Sequence, residues 1–327
     1  MTGLIEYRKF GLDELRAARI AELGCVKPID AIVEYLSQSS CIRRGHGFGY
    51  YGNAKKGIIL IGLCCEEGGP SLALYPSIEI ADSLSVMYGR VQAVIPSYEF
   101  RKFNGTEGFV KINDIENTVE RSRKTLAKFG FDVVSSEDDV YRFERLDMIF
   151  SILQYVDKTY NDAIGKGIVR SLSTAAEIAD ILIAAKNNNV LVIADQGSAG
   201  PVIKARQIAK KLGIENEIAG IFYLEPLALD GRSLMYHGSV KNKIFLRKGD
   251  GEKIMHAISS GGSREDFEKN GGDYNRCVVA EIESLISPDD AVVQENYIKC
   301  VSGKFNGCRE HKIDVERQLE IFLEGFE

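Results

Sequence analysis

Apolar residues along this chain fall into two rhythms. Short runs rich in β-branched residues, "GIILIGL" (57 to 63), "VQAVI" (91 to 95), "NVLVIADQ" (189 to 196) and "EIAGIFYL" (217 to 224), predict four buried strands. Between and after them the apolar positions recur every three or four residues. "SIEIADSLSVMYG" predicts a helix stopped by Gly89, and "PVIKARQIAKKLG" one that takes Pro201 into its first turn and stops at Gly213. Run, helix and run make a βαβ unit. Crossovers of this length suit parallel strands, so the pattern predicts an α/β fold built on a parallel sheet.

The segment from 104 to 187 reads as a helical insertion between the second and third strands. In its "DIENTVERSRKTLAKFGFD", Ile115, Val119, Leu126 and Phe129 share one helix face. The chain closes on a further helical stretch with Val315, Leu319, Phe322 and Phe326 at spacings of four, three and four. Both stripes are read as core-packing faces. The expected boundaries are an N-terminal extension over 1–55, an α/β domain over 56–247 that carries the insertion, and a helical domain over 248–327.

Composition narrows the function. A chain of 327 residues with 45% hydrophobic content buries a substantial core. Its 41 Lys and Arg against 47 Asp and Glu give a net charge of −6, so no global basic field draws it to DNA or to a membrane. "MTGLIEYRKFGLDELR" has no continuous apolar core, and no run reaches about 18 apolar residues, so neither a signal peptide nor a membrane span is expected and the reading is cytoplasmic. Seven cysteines without paired CxxC clips are expected as free thiols. Cys300, Cys308 and His311 are too irregularly spaced for a structural metal site, and no metal is expected.

The first strand and its turn, "IILIGLCCEEGGPSLALYPS" (58 to 77), carry the question of function. An apolar run ending in a glycine-bearing turn before a helix is how nucleotide sites often begin. This turn offers a phosphate no Lys, Arg or His, while Glu66 and Glu67 add negative charge. Asp195 and Gln196 stand at the carboxyl end of the third strand, where open α/β sheets bind ligands. Asp195 is equally placed to cap the turn into the next helix.

Several segments, in order, resemble tryptophanyl-tRNA synthetases of the archaeal and eukaryotic branch. "KIFLRKGDGEKIMHAISSGGSREDFEKNGGDYNRCVVAEIESL" resembles the region after their KMSKS loop. "IRRGHGFGYYGN", "FGFD" (129 to 132), "AIGKG" (163 to 167) and "ADQ" (194 to 196) agree in order, so the resemblance spans about the whole chain. It implies a Rossmann-type catalytic domain, an inserted segment at a homodimer interface and a C-terminal helical domain that receives the tRNA anticodon. It also implies ATP and Mg²⁺ as cofactors if synthetase activity is retained.

The signatures depart from the family. Counting from Gly62, which matches a family glycine, the HIGH motif falls on Ser71, Leu72, Ala73 and Leu74, so both phosphate-facing histidines are absent. Ala73 stays small enough for a base to approach. Aligning on Met235 puts Leu234, Tyr236, His237 and Gly238 in the KMSKS loop, and a shift of a few residues brings in Ser239 and Lys241. In the amino-acid pocket, Pro96 and Arg101 stand where the family has a glutamine for the indole and a glutamate for the ammonium. Thr174 replaces another glutamine, and Gln196 matches a third. Proline cannot bond an indole nitrogen, and Arg101 repels an ammonium but suits a carboxylate or phosphate, if it faces the pocket.

Three functions remain open on the sequence. The first is a divergent paralogue that keeps the fold and a nucleotide, amino-acid-like or tRNA partner without normal tryptophan activation. The second is a tryptophan-tRNA ligase with unusual signatures. The third is an enzyme acting on another substrate, with Arg101, Lys166 or His237 as participants. Acidic segments near the C-terminus do not advertise an RNA-binding stripe.

Overall fold

The computed structural model describes residues 39–62, 69–95, 98–103, 106–111, 115–135, 138–153, 167–236, 238–259 and 263–326. The first 38 residues of the expected N-terminal extension, Glu66, Glu67, Pro96, Lys166, His237 and the "SGG" at 260–262 lie outside them.

The four predicted strands form the centre of a six-stranded sheet. They are β2 (Ile58–Ile61), β3 (Val91–Ile95), β7 (Val190–Asp195) and β8 (Ile218–Tyr223), all mutually parallel. The full order is β1-β8-β7-β2-β3-β6, with β1 (Gly47–Tyr51) antiparallel on one edge and β6 (Asp132–Ser135) parallel on the other. A separate antiparallel hairpin joins β4 (Tyr98–Phe103) to β5 (Thr106–Lys111).

Alternation along each central strand explains why those runs are apolar throughout. Ile59, Ile61, Ala93, Leu191, Ile193 and Ile221 join one buried cluster, while Ile58, Leu60, Val94, Val190, Val192 and Phe222 join another on the opposite face. A sheet covered on both faces leaves few positions for a polar side chain; half-buried Gln92 of β3 is one. The first face is covered by α1 (Ser40–Arg43), α2 (Tyr75–Tyr88) and the C-terminal helices. The second is covered by α4 (Asp139–Leu153), α5 (Gly167–Ala185) and α6 (Ala199–Lys211). Pro201 and Gly213 fall as the pattern predicts, in the first turn of α6 and just beyond its end with φ 71°.

The stretch expected to be a helical insertion is more varied than its pattern suggests. It opens inside the β4–β5 hairpin and includes α3 (Ile115–Ala127), but it also supplies β6 to the main sheet and α5 to its core. β6 escapes the hydrophobic pattern because an edge strand keeps one side wet: Asp132 is exposed and Val133 and Val134 are half-buried. Val119 and Leu126 of the α3 stripe are buried as expected.

The expected boundary at 247 does not interrupt the packing. Beyond it come α7 (Arg264–Asn270), α8 (Val278–Ile286), α9 (Asp290–Val301) and α10 (Cys308–Glu324). Val315, Leu319, Leu323 and Phe326 share one hydrophobic cluster with Ile78 and Leu84 of α2. Polar contacts reinforce the join. Arg44 is fully buried and donates through Nη1 to the carbonyls of Ser284 (3.1 Å) and Ser287, and through Nε to Asp290 (2.8 Å). The segment "IRRGHGFGYYGN" therefore has two duties, an edge strand and a bolt from α1 to the C-terminal helices.

Among the described residues no helix is long and apolar enough to cross a membrane, and no group of three His, Cys, Asp or Glu is arranged to hold a metal ion. The residues weighed for zinc have other surroundings. His311 Nε2 lies 2.9 Å from Glu283 Oε2, and its ring stacks on Phe305. Burial, followed by the neighbouring Cys277 and Cys308, pushes the Cys300 thiol up to about 12.

Candidate functional site

A cleft opens at the carboxyl ends of the parallel strands. It has a volume of about 690 Å³, including space open to solvent. Each wall comes from a strand end or a turn that follows one: Gly62 after β2, Val94 and Ile95 of β3, Ala194 and Asp195 of β7, and Tyr223 and Glu225 at the end of β8. Ala73 and Leu74 close it from the turn into α2, Ser122 and Leu126 from α3, and Tyr236 from the later loop. This is where open α/β sheets collect their ligands, because the strand ends and helix starts converge there. Gly62 adopts φ 68°, and a Cβ there would meet the Val94 carbonyl at 3.4 Å, so glycine suits the position doubly.

The turn matched to the HIGH motif is folded into the core. Ser71 and Leu72 are fully buried and Ala73 is nearly so. Ser71 Oγ accepts from the Ala73 amide (3.1 Å), and Ser71 forms a bridge with Phe245. The amide of Leu72 donates to Ile244 O (2.9 Å), and that of Leu246 donates to Pro70 O (2.8 Å). Only Ala73 and Leu74 of the four line the cleft. Leu74 brings a hydrocarbon where a phosphate-facing donor is expected.

The segment matched to the KMSKS loop is likewise bonded to itself. Met235 is buried in the core, and its amide donates to Pro226 O (2.8 Å). Ser239 and Lys241 are exposed at a short 3-10 turn, and neither lines the cleft. The cation that turns inward is one the sequence reading missed. Lys243 is buried, donates to the carbonyl of Tyr236 and lies 5.3 Å from the centre of that ring. Next to it, Asp250 accepts from Phe245 N (2.9 Å), Arg247 Nε (2.9 Å) and Lys253 Nζ (2.6 Å). Burial opposes ionisation of Asp250, yet these hydrogen bonds outweigh it and hold the carboxyl below its ordinary range. Its spacing, two residues past Lys241 in "VKNKIF", was the only available signal for Lys243.

Asp195 caps the next turn as expected. Oδ1 accepts from the Gly197 amide (2.6 Å), capping the 3-10 turn that leads into α6, and the same side chain lines the cleft. Gln196 instead accepts through Oε1 from the Glu225 amide (2.9 Å), tying the ends of β7 and β8 together outside the cleft lining. Glu225 in turn accepts from the Tyr236 amide. Thr174 lies in α5, and Arg101 lies on β4 opposite Gly108.

Behind Asp195 sits Glu177 of α5, which periodicity alone did not single out. It accepts from Ser198 Oγ at 3.4 Å, a long contact for a carboxylate. Burial, followed by the charges of Asp195 and Asp180, pushes its carboxyl up to about 8. Asp180 itself is held by Arg145 of α4 through two bonds (2.7 and 3.1 Å) and by Tyr141 Oη (2.8 Å). Three carboxyls, those of Asp195, Glu177 and Asp180, therefore gather toward the cleft floor, and Arg145 is bonded to Asp180 on the far side.

No protein-family model and no curated protein matches the sequence. The fold does find relatives among solved structures, and it is the fold of class I aminoacyl-tRNA synthetases. Within that class several of the similar structures are tryptophanyl-tRNA synthetases. The tryptophanyl-tRNA synthetase of Aeropyrum pernix superposes with a TM-score of 0.71 at 18% identity, covering 97% of this chain and 94% of that one. A tryptophanyl-tRNA synthetase homolog from Entamoeba histolytica gives 0.73 at 17% identity over 97% and 92% of the two chains. The enzyme from Giardia lamblia gives 0.71 at 13% identity over 97% and 94%. A tyrosyl-tRNA synthetase from Aeropyrum pernix follows with a TM-score of 0.59. The tryptophanyl-synthetase-like architecture expected from the order of motifs is the architecture observed.

Proposed function

We propose that this chain is a divergent homologue of tryptophanyl-tRNA synthetase that no longer activates tryptophan in the normal way and uses its cleft to bind a small molecule. One observation carries the reading: among the described residues lining the cleft, the charged side chains are Asp195 and Glu225, both acidic. Adenylate formation requires donors aimed at charge developing on phosphate, and losing one such donor costs about a hundredfold to a thousandfold in rate. Here the HIGH-equivalent positions offer a buried, internally bonded serine and a leucine. Lys241 stands in solvent, and Lys243 is committed to Tyr236.

A tryptophan-tRNA ligase with unusual signatures is the second reading, favoured by the near-complete overlap with synthetase structures. Exchange of pyrophosphate into ATP, driven by each amino acid in turn and followed by tRNA charging, separates the two. Robust tryptophan-dependent exchange would sink the first reading; baseline exchange with every amino acid supports it.

The homodimer implied by the fold is carried forward as part of this proposal. Support comes from α4, whose Val140, Phe143, Leu146 and Phe150 lie along one side of the helix and are exposed. Sedimentation of the full chain reads the assembly state directly.

A further inference from the structure

Resting on the reading that the cleft holds a small molecule, we infer that Lys243 is a positioning residue for that site: it braces Tyr236 as a fixed wall, so the ligand enters a pre-formed pocket and not one that a moving loop closes over it.

Tyr236 lines the cleft, whereas Lys243 is not part of the lining. The ammonium therefore acts from behind the wall. It lies over the Tyr236 ring, 5.3 Å from the centre, and donates to the Tyr236 carbonyl, so one buried cation holds both ring and backbone. Lys243 is held in turn through its own carbonyl, which accepts from Lys253 Nζ at 3.1 Å. On its other side Tyr236 is tied to the sheet. Its amide donates to Glu225 Oε1, and the Glu225 amide donates to Gln196 Oε1 (2.9 Å) just beyond β7.

The chain before Tyr236 closes on itself in the same manner. Leu227 and Leu234 pair in an antiparallel bridge, the Ala228 amide donates to Ser233 O (2.9 Å), and the Met235 amide donates to Pro226 O (2.8 Å). At the tip of this narrow turn, Asp230 accepts from the amides of Arg232 (3.0 Å) and Ser233 (3.2 Å) and from Asn242 Nδ2 (2.9 Å). The Leu229 amide adds a bond to Asn242 O (3.0 Å). Asn242 precedes Lys243, so the turn that leads to Tyr236 also carries the positioning cation into place. Gly238 packs so closely that a Cβ there would lie 2.9 Å from Ala228 Cβ. Lid loops are drawn from segments with few buried contacts and solvent-exposed backbone bonds, and this stretch has the opposite character. A wall fixed before binding selects by shape, since a bulkier ligand moves Tyr236 only by breaking the Lys243 bonds.

The test is amide hydrogen exchange followed by NMR on the full chain without ligand. The amides of Ala228, Met235 and Tyr236 are expected to be protected at least about a hundredfold over unstructured chain. Lys243→Met keeps an unbranched apolar stem and removes the ammonium. It is expected to lower Tyr236 protection at least about tenfold while Ile193 and Ile221 of the sheet keep theirs, and Lys243→Arg is expected to restore most of it. In protein labelled with 3-fluorotyrosine, the Tyr236 signal, assigned by its loss in Tyr236→Phe, is expected as one narrow line that shifts or broadens in Lys243→Met. Unprotected Met235 and Tyr236 amides in the wild type, an exchange-broadened Tyr236 line in the wild type, or a Lys243→Met protein unchanged in both readouts overturns the inference. Should Lys243→Met not fold, the wild-type measurements decide alone. No ligand or activity enters these measurements, so loss of this inference is distinguishable from loss of the functional reading, which the pyrophosphate exchange assay decides.

Discussion

Replacing Glu177 by glutamine isolates the electrostatics of the cleft floor in a measurable stability. In the folded protein this carboxyl titrates near 8, against an ordinary 4.5. A carboxyl whose folded value is raised holds its proton more tightly in the native state than in the unfolded chain. Below 4.5 both states are protonated and the side chain contributes no pH dependence. Between 4.5 and about 8 the unfolded chain has released a proton that the folded protein keeps. Stability therefore falls with rising pH, by about 1.4 kcal/mol for each pH unit. The whole interval is worth roughly 5 kcal/mol as an upper figure, and relaxation around a partly exposed side chain makes about 3 kcal/mol the working value. Glutamine keeps an oxygen for the Ser198 hydroxyl and removes the charge. Urea unfolding of both proteins across a pH series reads the difference, in which every other titrating group cancels. The variant should match the wild type near about pH 5 and exceed it by roughly 3 kcal/mol near about pH 8.5. A gap that stays constant with pH, or that closes toward alkaline pH, refutes the charge accumulation argued here.

Three other outcomes are expected. Arg44→Met leaves the Ser284 and Ser287 carbonyls and Asp290 without their buried donor; urea unfolding should show a loss of about 3 to 5 kcal/mol. Gly271→Ala places a Cβ 2.0 Å from the Val301 carbonyl oxygen at φ 72°, so a thermal melt should show a lower Tm, with the far-ultraviolet spectrum unchanged below the transition. Phe143→Glu combined with Phe150→Glu adds two charges to the exposed face of α4; under the proposal that this face forms a homodimer, sedimentation should show a dimer for the wild type and a monomer for the variant, and a wild-type monomer or an undisturbed variant dimer would overturn it.

What the sequence made legible follows from how much of each element is buried. The four central strands announced themselves because both faces of the sheet are covered, which favours apolar residues at nearly every position. The edge strands did not. β1 reads "GFGYY", carries a bulge between Gly47 and Gly49, and pairs with β8 only through a long-range antiparallel ladder. β6 spans four residues with one side wet. In the cleft, Gly62 and Asp195 were legible because strand ends follow directly from strand runs. Glu177 and Lys243 were not, since each acquires its surroundings from residues distant in the chain or folded back onto it.

Among the described residues, the cations near the first turn are bonded elsewhere in the fold. Lys243 holds the Tyr236 carbonyl, Lys253 holds Asp250 and the Lys243 carbonyl, and Arg247 holds Asp250. These bonds fasten the stretch from Tyr236 to Asp250 onto itself, while Leu72 and Leu246 fasten it to the first turn. For one of these cations to serve a phosphate in the cleft, it must first give up a charge-assisted bond worth about 1.5 to 3 kcal/mol. The freed phosphate contact would then form beside Asp195 and Glu225, against like charge. For Lys243, Lys253 and Arg247, a phosphate contact would thus replace an existing bond rather than add one.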